Sequence, residues 1–461
     1  MAGQERGAGL GALIVELRGV IDAQAAEIVV LKEQVAGLMV LLDEARRGGK
    51  RQAAPFSKGD PVPDPKRPGR KGGKAYGKRA QRGVPERVDR EFDALAPLVC
   101  PDCGGEIVAD GVHEQYVCEV PDARPLVTRI RVHVGRCTRC RRRVQGRHPE
   151  QHSDALGAAG VQLGPRAFAI GHLLHYRYGL SFARSAAVLS EMFGLGVSRA
   201  ALCRAAASTA LELAPTHAAI AAAVNTSPAV TMDETGWRVG GRRRWLWVAA
   251  TRKATLFRVC EGRGYDDATT LLDGDYDGVL VRDGWAPYRA YEKATHQTCI
   301  AHLARRAHEL KQELPAHEHG FAARVGEILT EALAWRDAER PEEQRAEPAA
   351  ELADRLGVLC DGVVLGEASQ RFARHLNREN SAVFTFLTRD CDATNWRGEQ
   401  AIRPAVVNRK TYGGNRTDHG AHTLSVLTSV LVTARQQGHD ALDTLTRLAR
   451  APTPTLAFTI N

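Results

Sequence analysis

The sequence contains no apolar run approaching the roughly 20 residues that span a bilayer. The stretch from Met1 to Arg18 also lacks the basic start, apolar segment and small-residue cleavage site of a secretory signal. These absences argue against a membrane or exported protein and predict a cytoplasmic one. Cysteine is scarce: ten in 461 residues make no disulfide framework. Four of them fall in two Cys-x-x-Cys pairs, which in a reducing compartment read as metal ligands, and the other six are expected in the core. Net acidity is missing too. Against 54 Asp and Glu stand 63 Lys and Arg, a formal +9, which favours a polyanionic partner such as nucleic acid over an anionic membrane surface. A chain of this length exceeds one hydrophobic core, so several domains are expected.

What is present begins with a heptad. Ile14, Ile21, Ile28, Val35 and Leu42 occupy a; Leu10, Leu17, Leu31 and Leu38 occupy d, with polar Gln24 the one break. β-branched residues at a with Leu at d favour a parallel two-stranded coiled coil, hence a homodimer. A solitary amphipathic helix is the alternative. Residues 46–82 then hold thirteen Lys or Arg against Asp60 and Asp64 in a Gly/Pro-rich setting. Such a composition buries too little apolar surface to fold alone. It suits a basic arm in which Arg67, Arg70, Lys71 and Lys74 meet DNA phosphates, although a plain solvated tether has the same composition.

Cys100-Pro-Asp-Cys103 and Cys137-Thr-Arg-Cys140 follow. Four thiolates complete a closed tetrahedral site with no open position, so one structural Zn2+ is expected. Between the pairs, residues 126–134 alternate apolar with polar, the pattern of a zinc-ribbon strand. Cys118 is expected as a spare buried thiol. Six arginines lie within 136–147, and Arg141, Arg142 and Arg143 form a face for DNA or a solvated basic surface. From Leu156 to Val224 the period is helical. Two helices flank Phe193-Gly-Leu-Gly-Val197, Ser198 caps the second, and Arg199 and Arg204 would enter a major groove. A structural helical hairpin produces the same pattern.

The period changes to that of strands at Ala229–Asp233, Trp245–Ala250 and Thr255–Val259. A helix near 266–272 and a strand over 278–285 complete a βββαβ order. Asp233 and Asp283 end the first and fourth strands, and become neighbours if those strands do, as in a ribonuclease H-like fold. Phosphodiester cleavage by two Mg2+ ions about 4 Å apart requires several convergent carboxylates. Beyond a helical insertion, Glu399 on a short helix beside basic residues is the candidate for a third.

These residues resemble the transposases of insertion sequence sixty-six over nearly the whole chain. The likeness rests on the zipper, the Gly/Lys-rich linker, Cys100-Pro-Asp-Cys-Gly104, Met232-Asp-Glu-Thr235, Val281-Arg-Asp-Gly-Trp-Ala-Pro-Tyr288 and Cys299-Ile-Ala-His-Leu-Ala-Arg-Arg306. The family's last block, Asn followed by Ala-Glu-Arg and Arg-Pro, resembles Asn395–Pro404. The resemblance implies Asp233, Asp283 and Glu399 as catalytic acids on two Mg2+ ions. Gly398 and Gln400 depart from it, leaving Arg397 or Arg403 to supply the missing cation, with Lys410 beyond. Cys299 and His302 match a Cys-x-x-His step expected to pack or to position DNA.

The expectation is a multidomain α+β chain. A coiled coil covers 10–45, a flexible basic linker 46–90, a zinc ribbon 91–150 and a helical, helix-turn-helix-like DNA-binding domain 151–225. A ribonuclease H-like α/β catalytic core covers 226–303 and 389–436 around a helical insertion at 304–388, with a tail at 437–461. It would be a bacterial, nucleoid-associated transposase cutting and joining DNA at element ends and target, with no membrane partner. The resemblance also implies accessory proteins from the same element. The rivals are a ribonuclease H-like nuclease and a catalytically inactive DNA-binding descendant.

Overall fold

A computed structural model describes residues 18–32, 34, 35, 38, 83–151, 153–338, 341–450, 458 and 460. The chain divides into two units, Met1–Gly69 and Arg70–Asn461. In the first, the described residues are helical. Ile21, Ile28, Leu31, Val35 and Leu38 all lie exposed along this helix. Leu10, Ile14, Leu17 and Leu42, and the linker cations Arg67, Arg70, Lys71 and Lys74, lie outside the described residues.

The second unit opens with a small ribbon, β1 (Val134–Arg136) paired antiparallel with β2 (Arg143–Gln145). Four helices follow: α1 (Pro165–His172), α2 (Phe182–Phe193), α3 (Arg199–Glu212) and α4 (Ala214–Asn225). Local chemistry sets their ends. Ser181 and Ser198 accept the amides of Arg184 and Ala201, satisfying first-turn donors. Gly194 closes α2 in the left-handed region at φ 64°, where a side chain is disfavoured.

The main sheet has the order β5-β4-β3-β6-β7. It comprises β3 (Ala229–Val239), β4 (Arg242–Ala250), β5 (Thr255–Cys260), β6 (Val279–Arg282) and β7 (Thr295–Thr298). β3, β4 and β5 run antiparallel, whereas β6 lies parallel to β3 and β7 parallel to β6. The first and fourth strands of the expected order are therefore neighbours. Helix α5 (Ile300–Glu313) leads into α6 (His319–Asp337), α7 (Ala346–Asp361) and α8 (Glu367–Glu379), which share a core around Leu303, Val325, Leu356 and Phe372. The chain then returns to the sheet as α9 (Trp396–Tyr412), α10 (Asp418–Gln436) and α11 (Ala441–Leu448). This sheet and its helices bury Trp237, Trp247, Phe257 and Leu280 in a separate core.

The outer strand β5 is covered by α10. Hydroxyls of Ser425, Ser429 and Thr433, four residues apart on one helical face, accept the amides of Val259, Phe257 and Thr255. An edge that would otherwise recruit another strand is thereby closed.

Several expectations are corrected. Residues 126–133 form no strand: Leu126 and Val127 are 95% and 86% exposed, so their alternation has no face to bury. The helix placed at 266–272 is only Tyr265–Ala268. Glu399 sits on a seventeen-residue helix, not a short one. Cys118 and Cys203 are exposed, not core residues. Strand β7 was not anticipated.

Candidate active site

Asp233 lies mid-strand in β3, between β4 and β6. Its Oδ1 accepts the amide of Glu234 at 2.9 Å. The Asp233 carboxyl is pushed up to about 7, by burial first and then by Glu234, with Asp283 and Glu399 adding like charge and the Glu234 amide opposing. All three expected acids thus share one electrostatic neighbourhood. Asp283 directly follows β6, and its Oδ1 accepts the Trp285 amide at 2.9 Å, which fixes the turn. Glu399 occupies the first turn of α9, where the helix dipole favours an anion.

Gly398 explains the closeness of α9 to β3. A Cβ there would stand 3.1 Å from the Asp233 Cβ and 3.3 Å from Thr231 Cγ2, so the missing side chain lets the helix rest on the strand at the acid. Arg409 adds a tie by donating to Gly236 O. A cleft of about 330 Å³ between the two elements is lined by Asp233, Glu234, Thr235, Glu399, Gln400 and Arg403, among others. Of the two cations considered for the altered block, Arg403 faces this cleft. Arg397 instead pairs with Asp392 at 2.9 Å and lies over the Trp396 ring. Lys410 follows Arg403 by seven residues, hence on the same side of α9.

The Cys-x-x-His step positions α9. Cys299 Sγ accepts the Asn395 amide at 3.3 Å, the Ile300 amide donates to Ala393 O, and His302 Nε2 stands 3.6 Å from Glu399 Oε1. Among the described residues no three His, Cys, Asp or Glu side chains close on one ion-sized point, so neither the three acids nor the four paired cysteines form a finished metal cage.

Two carboxylates escaped the sequence reading. Glu234, adjacent to Asp233 on β3, is held by Arg263 Nε at 2.5 Å and by the hydroxyl that Tyr288 donates. Arg263 also lies 3.9 Å over the Trp285 ring, linking this pair to the Asp283 turn. Glu379 on α8 is fully buried and accepts from Arg282, from Thr298 at 2.8 Å and from Arg289 at 2.9 Å. Arg282 in turn donates to Asp283 O, so the insertion is bolted to the residue preceding an acid. The strand alternation signalled Glu234; nothing local signalled Glu379, 97 residues from its partner.

Residues 160–423, more than half of the chain, match the family model described as Transposase IS66 family. This chain belongs to that family. Over 422 residues it is also 26% identical to an uncharacterized protein, y4qI, of Sinorhizobium fredii (strain NBRC 101917 / NGR234), covering 81% of this chain and 75% of that one. Membership in a transposase family makes this a DNA-processing, DNA-binding protein. Among the described residues no helix is long and apolar enough to cross a membrane.

Outside the family match, the two Cys-x-x-Cys turns of this IS66-family chain are built alike. Gly104 N donates to Cys100 O and Arg141 N to Cys137 O, each at 2.9 Å. Gly104 (φ 73°) and Arg141 (φ 61°) both adopt the left-handed conformation. Amides of Cys103 and Asp102 pull the Cys100 thiol below its ordinary value, and those of Cys140 and Arg139 do the same for Cys137. Arg142, Arg143, Arg199 and Arg204 are exposed, on the ribbon and on α3.

Proposed function

We propose that this chain is the DNA transposase of an insertion sequence, binding element ends and carrying out Mg2+-dependent strand cleavage and strand transfer on a ribonuclease H-like core. The observation that carries this reading is the β3–β6 adjacency together with α9 resting on Asp233 through Gly398, with the charges of Asp283 and Glu399 both felt at the Asp233 carboxyl.

The donor set fits the implied ions. A carboxyl such as Asp233, whose proton affinity is raised by burial and by neighbouring carboxylates, suits hard divalent cations, whose charge relieves that repulsion. Asp233, Asp283 and Glu399 would hold two Mg2+ ions, which supply Lewis-acid charge to the attacking and leaving oxygens of a phosphodiester. The contact of Glu399 with His302 is long and partly exposed, so it is worth little and leaves the carboxylate free to swing. In the reaction, water forms a new P–O bond as the bond to the 3′ oxygen breaks, and that oxygen leaves as a hydroxyl. The freed hydroxyl then attacks target DNA by the same in-line displacement. The protein's task is positioning. Arg403 and Lys410 extend a phosphate track from Glu399 along α9.

The remaining parts take supporting roles. Cys100, Cys103, Cys137 and Cys140 hold one structural Zn2+, their matching turns being preset for thiolates. Arg141, Arg142 and Arg143, Arg199 and Arg204, and the linker's Arg67, Arg70, Lys71 and Lys74 contact DNA. Two chains pair through the heptad of residues 10–45. Accessory proteins of the same element assist in the cytoplasm.

The test is an end-containing duplex incubated with target DNA and Mg2+. The unaltered chain gives joined products, and Asp283→Ala gives none while still retaining duplex. Joining by Asp283→Ala would overturn the assignment, and hydrolysis without joining by the unaltered chain would make the protein a nuclease.

A further inference from the structure

A second cleft, of about 290 Å³, opens beside the acids between α5 and α8. Gly284, His302, Arg306, Arg371, Phe372 and His375 line it, with Ala368 in its wall. It adjoins the acids at two points: Gly284 follows Asp283 in the chain, and His302 stands 3.6 Å from Glu399. A Cβ on Gly284 would meet His375 Cε1 at 2.5 Å, so the His375 ring of α8 rests against bare backbone at the Asp283 turn.

The cleft has the chemistry of a receptor for one nucleotide. His302 and Arg306 are four apart on α5, as are Arg371 and His375 on α8, so each helix turns two basic groups the same way. No acid lines the cleft. Its arginines are held by Glu309, Glu313 and Glu367 in exposed pairs, which are weak and readily exchanged for phosphate. Leu303, Ala368 and Phe372 supply an apolar recess. The volume lies at the small end of ligand pockets, roughly 300–1,000 Å³, too little for a duplex and enough for one base. Buried His302 Nδ1 has no hydrogen-bond partner among the described residues.

We propose that this cleft takes a single unstacked nucleotide of the DNA strand next to the phosphodiester under attack, its base in the apolar recess and its phosphate against Arg306 and Arg371. The inference rests on the transposase reading of the adjacent acids. Holding one base outside the stack fixes the register of the strand over Asp283 and Glu399 and bends the backbone towards them.

The experiment uses the full chain without divalent ion, and duplexes with 2-aminopurine substituted singly for each base around the junction of element end and flank. One position should brighten on binding, as an unstacked base does. Ala368→Trp, which fills the recess without removing charge, should abolish that brightening while changing duplex affinity less than about twofold. Should that variant fail to fold, Arg306→Ala with Arg371→Ala should also abolish it and lower the salt dependence of binding by about two charges. Uniform dimness at every position, or brightening that persists in a folded variant, overturns the proposal. Because the signal needs no cleavage, a chain that brightens but never nicks refutes the transposase reading alone, whereas one that nicks but never brightens refutes only the cleft.

Discussion

Replacing Glu379 by Gln removes the charge that neutralises Arg282. Both side chains are shut off from water, at 0% and 2% exposure, and Arg282 has no other carboxylate partner among its hydrogen bonds. Breaking a buried pair from one side costs about 3–5 kcal/mol, because the remaining charge stays desolvated. The single amide oxygen can still accept from Thr298 at the Oε2 position, while Arg289, which donates to Oε1, loses its acceptor but is partly exposed and can turn to water, so the lower figure applies. About 3 kcal/mol corresponds to a fall of about 4 °C in Tm for a unit as long as Arg70–Asn461, readable by circular dichroism of the full chain. Removing both charges together, as Arg282→Met with Glu379→Met, should recover most of that loss, since a hydrophobic replacement of a buried pair is often neutral. Arg282 also donates to the Asp283 carbonyl, so Glu379→Gln should slow nicking as well as melt early. If the Gln variant melts within about 1 °C of the unaltered chain, the pair is not desolvated as described and the argument linking insertion to acid fails.

Other outcomes follow from the same coordinates. Burial pushes His172 and His175 down to about 4, so between that value and the unfolded value near 6.5 the unfolded chain binds the extra protons. Stability should be full above pH 6.5 and fall by about 2 kcal/mol per ring at pH 5, measured by urea unfolding; a flat profile would contradict it. Ser429→Ala leaves the Phe257 amide without its acceptor on the covered edge of the sheet, costing about 1–3 kcal/mol and speeding hydrogen exchange there. Gly398→Val forces a branched side chain against Asp233 and should push α9 outward, costing about 1–3 kcal/mol and most nicking; full activity would show that the contact does not set the site.

The sheet was legible because its strands are apolar and punctuated by polar turns, so Asp283 could be placed at a strand end from pattern alone, whereas Asp233 lies mid-strand because β3 runs on past it to Val239. The Ser198 cap and the glycine turn at Gly194 were equally local. Helix α9 is longer than the short helix expected around Glu399, although it contains Pro404. Pro404 and Gln400 are exposed, so the carbonyl that loses its helical bond can turn to water, and the helix continues. Residues 126–133 carried a strand's alternation without the neighbouring strand that would make them one. The bolts around the acids, Glu379 to Arg282 and Cys299 to Asn395, join residues far apart in the chain. No periodicity reports such pairs, and Glu399 itself was placed by the chemical need for a third acid and by family resemblance.

The central claim is that Asp233, Asp283 and Glu399 meet around divalent ions. Iron(II) substituted for Mg2+, with ascorbate and peroxide, releases hydroxyl radicals that cut the backbone beside the ion, and the cuts can be mapped on a gel of end-labelled protein. The account predicts three clusters of cuts, beside Asp233, Asp283 and Glu399, all competed by Mg2+ and all lost in Asp233→Asn. Cuts at the first two without any beside Glu399 would contradict it.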